Sequence, residues 1–163
     1  MPKPSPLVAA LLDGPFVLRK RPAPMLGDLR RAFGIAIMVL ILGASRGKKA
    51  SLQKLHFLAH SIRTPKTRAE VMGVFSGSTK PSQIHVRVEP WVNRALSFAR
   101  AAQLITFSEQ GKNARLTEKG VAALEEITTG TDLLTEEKGF LQAVGPHATE
   151  ARIERIMRME SLL

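Results

Sequence analysis

The chain has 163 residues, no cysteine, 24 Lys and Arg against 14 Asp and Glu, and a net charge of +10. That length suffices for one compact domain with a real core, or for a small domain with appended helices. The lack of cysteine excludes disulfides, cysteine-ligated zinc, iron–sulfur clusters and thiol nucleophiles, and it fits a reducing compartment, so a cytoplasmic location is expected.

The charge is unevenly spread. Residues 1 to 69 hold 13 Lys and Arg against Asp13 and Asp28 only, whereas residues 70 to 163 hold 11 against 12 acidic residues. A cationic half of this kind speeds encounter with phosphate backbones, anionic lipid or an acidic protein face, and charge alone does not choose among them.

Residues 1–25 are rich in proline and basic side chains and have no sustained period, so they read as an irregular basic arm with one short strand at "PFVLRKR". Pro2, Pro4, Pro6, Asp13 and Pro15 interrupt any signal-peptide pattern. The first helix is expected from Asp28, a suitable N-cap, to Ser45. Its run from Ala32 to Leu42 is apolar on all sides, too short to span a bilayer, and suited to a helix surrounded by other elements or shared across a dimer interface.

After the basic turn "RGKKA", Leu52, Leu55, Ala59 and Ile62 recur at helical spacing up to Thr64-Pro65, with Ser51 as the expected N-cap. Residues 66–83 are ambiguous between a short helix and a loop at "SGSTKPS", and "IHVRV" alternates as a half-buried strand would. Pro90 opens a helix whose stripe of Val92, Ala95, Leu96, Ala99 and Gln103 faces inward. "LITFSE" and "ARLT" then form a hairpin around Gly111-Lys112-Asn113, and Thr117 caps a helix in which Gly120 permits close backbone packing. Asp132 is expected to cap a helix to Val144, and a last helix buries Ile153, Ile156 and Met157 while pairing Glu154 with Arg158.

This order predicts a mainly α protein with a small β-hairpin: a winged helix-turn-helix with an insertion and two extra C-terminal helices. The expected divisions are the arm at 1–25, a winged-helix domain at 26–130 and a helical extension at 131–163. Between residues 47 and 127 the chain resembles the middle component of bacterial three-component systems that contain an SMC-like ABC ATPase, including anti-phage operons. The residues that carry the resemblance are Val88-Glu89-Pro90, Asn93-Arg94-Ala95-Leu96, Leu104-Ile105 and Leu116-Thr117-x-Lys119-Gly120. It implies a non-catalytic winged-helix accessory subunit contacting the ATPase and an effector partner. A dimeric regulator binding operator DNA is the alternative.

In a DNA-reading winged helix the third helix enters the major groove. Here Asn93, Arg94, Ser97 and Ala101 lie opposite the apolar stripe with Arg100 toward one flank, while Trp91 and Phe98 occupy the other flank. The two aromatics are expected either to fill the core beneath the inserted segment or, with Arg94, to form a protein interface. The hairpin offers only Lys112 and Arg115 against Glu109, which is poor for phosphate binding. Sequence-independent DNA contact is therefore expected mainly from Arg19, Lys20, Arg21, Lys48, Lys49 and Lys54, with Arg94, Lys112 and Arg115 as secondary contacts.

Catalytic signatures fail one by one. His56 and His60 share a helical face, but Phe57 stands where a zinc protease needs glutamate. "SLQK" lacks the companion motifs of penicillin-binding enzymes, and "GVFSGSTK" has the wrong order for a phosphate loop. No catalytic residue, metal ligand or cofactor is expected.

Overall fold

The structure, a computed structural model, describes residues 27–86 and 88–160. The expected arm, with Arg19, Lys20 and Arg21, lies outside the described residues. Among those described there are seven α-helices and one three-stranded antiparallel sheet. In chain order they are α1 (Gly27–Gly43), β1 (Lys49–Ser51), α2 (Leu52–Ile62), α3 (Pro65–Ser76), α4 (Pro90–Ala101), β2 (Ile105–Phe107), β3 (Asn113–Leu116), α5 (Glu118–Thr129), α6 (Thr135–Val144) and α7 (Glu150–Glu160). The element order and the strand order β1-β3-β2 are compatible with a winged helix. No described helix is long and apolar enough to cross a membrane.

The core is built around α1. Every side chain from Ile37 to Leu42 is buried, because α2, α4, α5, α6 and β3 all pack against this helix. Of the two expectations for the apolar run, the structure takes the helix surrounded by its own chain. Leu55, Phe57 and Leu58 of α2 complete the centre, and Phe57 meets Phe75 of α3 edge to face at 6.3 Å between centroids.

Helix α3 resolves the ambiguity at residues 66–83. Thr64 and Thr67 form a reciprocal capping box, Pro65 occupies the first turn, and Gly77 ends the helix with φ +83. The polar segment that follows folds back onto one carbonyl: Gly73 O accepts from Ser78 N at 2.9 Å and Thr79 N at 3.0 Å.

Three local expectations are corrected. Among the described residues of the segment 84–88 no strand forms: Ile84 is inserted in the core, no neighbouring strand offers a ladder, and Val88 is 69% exposed. Gln103 is not part of the α4 stripe: it follows the helix with φ +62 and is exposed. Asp132 does not cap α6, which starts at Thr135 after Leu134 takes φ +55.

The "LTEKG" segment clasps three elements. Helix α4 ends with Gln103 N donating to Arg100 O and Leu104 N to Ala99 O, both at 2.9 Å, a Schellman arrangement with glutamine in the left-handed place that usually holds glycine. Thr117 accepts from Gly120 N at 3.0 Å, capping α5, and donates to Gln103 O at 2.7 Å. Lys119 Nζ donates to Ala102 O at 3.0 Å, placing a cation at the negative end of α4. A Cβ on Gly120 would lie 2.0 Å from Leu104 O, so the close approach of α5 to the hairpin requires glycine there.

Candidate nucleic-acid and partner interface

The sheet sorts its side chains by alternation. Ala50, Ala114 and Phe107 are register partners on the inward side, where the two alanines are fully buried. Lys49, Arg115 and Thr106 are register partners in the adjacent row, and all three are exposed. Lys49 and Arg115, 66 positions apart in sequence, therefore stand directly opposite each other. Counting charge within the hairpin alone understates its cationic character, because a third of the sheet comes from another segment.

The approach to β1 adds to this row. Arg46, Gly47 and Lys48 form a single tight turn, with φ +69 at Gly47 and φ +53 at Lys48, and Arg46 and Lys48 are exposed. On the other side, the Arg100 guanidinium lies 5.9 Å from the ring centroid of Phe107. A shallow recess of 270 Å³ is lined by Lys49, Thr106, Ser108, Asn113 and Arg115 together with Phe107 and Ala114. Lys112 is exposed at the hairpin turn, and its carbonyl is fixed by Leu52 N at 3.0 Å.

Lys54 is corrected. It is only 4% exposed and cannot belong to an open phosphate-binding face. Burial pushes its ammonium below the ordinary 10.5, with the nearby Glu150 carboxylate partly opposing the shift. Glu150, at the start of α7, accepts from Ser51 N at 3.0 Å and from Ser51 Oγ at 2.6 Å. Ser51 in turn accepts from Lys54 N, the N-cap expected of it.

Helix α4 presents a different surface. Val92, Ala95, Leu96 and Ala99 are buried, and Asn93, Arg94, Ser97, Arg100 and Ala101 are exposed. The two aromatics part company: Trp91 packs partly buried against the core, and Phe98 does not. Phe98 is 42% exposed beneath the Arg31 guanidinium, 5.9 Å from its ring centroid, and the half-buried Trp91 lies against Gly34 of α1. Trp91, Arg94, Phe98 and Gly34 line a recess of 390 Å³ between α1 and α4, together with Arg30 and Arg31. Leu29 and Phe33, also exposed, extend the apolar surface along α1.

The histidines are placed structurally. His60 Nδ1 lies 3.2 Å from Glu89 Oε1, which also accepts from Arg63 Nη1 at 3.1 Å. Both His60 and Glu89 are buried, so this cluster fixes the residue before α4 onto α2. His56 Nδ1 is buried without a hydrogen-bond partner, and among the described residues no group of three or more His, Asp and Glu is placed to hold a metal ion.

No protein-family model, curated protein or solved structure matches the chain. The site therefore rests on its own geometry.

Sequence reasoning grouped Lys112 with Arg115 and set Lys49 apart from them, and so missed the pairing of Lys49 with Arg115 and the place of Arg100 over Phe107. The outward register of Lys49 with Arg115 depends on β1 pairing with β3, which no local pattern encodes.

Proposed function

We propose that this protein is a non-catalytic winged-helix accessory subunit that links an SMC-like ABC ATPase to an effector partner, with a role in anti-phage defence. The observation that carries the reading is the exposed Phe98 and Arg94 beside Trp91, on the helix that a DNA-reading winged helix would offer to bases. Aromatic and arginine side chains around a recess are the composition of protein-binding hot spots, whereas base readout needs polar groups free of bulky neighbours. The resemblance over residues 47–127 supplies the class of partner.

The test is co-expression of the full chain with an SMC-like ABC ATPase from the same genome, followed by size-exclusion chromatography with light scattering. A stoichiometric complex is expected, weakened at least tenfold by Phe98→Glu combined with Arg94→Glu, two exposed positions whose replacement leaves the fold intact. If no complex forms and the free protein prefers one duplex sequence by a thousandfold, it is instead a dimeric operator-binding regulator.

A further inference from the structure

We propose that the outward face of the three-stranded sheet is a binding site for the phosphate backbone of duplex DNA, independent of base sequence. This surface is distinct from the recess of Trp91 and Phe98, and the inference stands without the adaptor reading.

The first support is electrostatic. Lys49 and Arg115 are direct cross-strand partners, and like charges in that position destabilise a sheet. Neither has an ion-pair or side-chain hydrogen-bond partner among the described residues. The sheet thus holds two adjacent positive charges with no internal neutralisation, an arrangement that an external polyanion relieves.

The second is composition and shape. Strands lie about 4.8 Å apart, so the outward row from Lys49 through Arg115 to Thr106 spans roughly 10 Å. A duplex carries one charge per ~1.7 Å of axis, or about six phosphates' worth over that span. The exposed Lys48 precedes Lys49 in the chain, while Thr106, Ser108 and Asn113 add side-chain donors. Lys48 holds φ +53, a left-handed conformation that costs a lysine about 1 kcal/mol and carries its charge in the turn entering β1.

The third is the ligand class. An acidic protein would need an apolar anchor at the centre of its footprint, yet the outward row of Lys49, Arg115 and Thr106 holds no large apolar side chain. Phosphate contacts need no anchor and carry no base information, so the face positions DNA without selecting it.

The experiment is fluorescence anisotropy of the full chain with two labelled 30-base-pair duplexes of unrelated sequence, repeated across a salt series. The two duplexes should bind with affinities within twofold of each other, and log K should fall linearly with log salt. Lys49→Glu with Arg115→Glu should weaken binding more than tenfold at 100 mM salt and flatten the slope by about two, the contribution of two lost phosphate contacts. Lys49→Arg with Arg115→Lys should bind as the wild type does. Thermal melts of each variant establish that it is folded before its binding is scored. No binding by the wild-type chain at 50 mM salt, a tenfold preference for one duplex, an unchanged slope in the double glutamate variant, or displacement of DNA by an equal charge of polyglutamate would each overturn the proposal.

Discussion

Burying the ammonium group of Lys54 opposes folding for as long as the group is charged. Its position in α2 looks solvent-facing when the helix is read alone, since it follows the capping Ser51 by three residues. The Glu150 carboxylate beside it arrives with α7, nearly a hundred residues later, so this environment is not legible locally. Because its folded pKa lies below 10.5, the unfolded chain holds the proton more tightly. The penalty is therefore constant below the folded pKa and is relieved as pH rises from there toward 10.5. Lys54→Met should raise the melting temperature at neutral pH, and the gap from wild type should narrow as the pH of the melt approaches 10.5. A gap that widened instead would contradict the sign of the shift.

At the scale of elements, side-chain caps and close glycine packing are more legible in sequence than strand pairing. The cap at Ser51, the cap at Thr117 and the close approach at Gly120 follow from side-chain chemistry acting over three or four residues, and the structure has all three. The alternation of residues 84–88 reads as a strand because hydrophobic period reports which side is buried and not whether a neighbour supplies hydrogen bonds. The left-handed Leu134 displaced the start of α6 from the Asp132 that local capping preference favours. The clasp at "LTEKG" is the most demanding of these junctions, since a methyl group on Gly120 meets a backbone oxygen that cannot swing away. Gly120→Ala should cost about 2–3 kcal/mol, lowering the melting temperature by roughly 5–10 °C in calorimetry. A shift under 1 °C would mean that α5 can move off the hairpin freely.

Over the whole molecule, the compositional reading placed the excess cations in the first half but not on a surface. The fold distributes them: Lys54 goes inside, and Lys49 joins Arg115 from the other half. The C-terminal helices bind back onto the first half. Glu150 holds the start of α2, Arg152 donates to Phe75 O at 2.9 Å with its guanidinium 4.7 Å from the Phe75 ring centroid, and Arg68 pairs with Glu136 of α6. Glu150→Ala removes both acceptors of Ser51 and the carboxylate nearest Lys54, and should destabilise the protein by about 1–2 kcal/mol in urea unfolding with an unchanged m-value. A drop in m would indicate instead that α7 detaches as a separate unit.

The order in which α1 and its neighbours occur has a consequence for synthesis. Ile37 to Leu42 leave the ribosome first among the core residues, while the helices that enclose them, through α6, are still untranslated. Until the last of those helices follows, these six consecutive apolar side chains are incompletely enclosed. Completion of the core around that helix waits on the elements that lie beyond the hairpin.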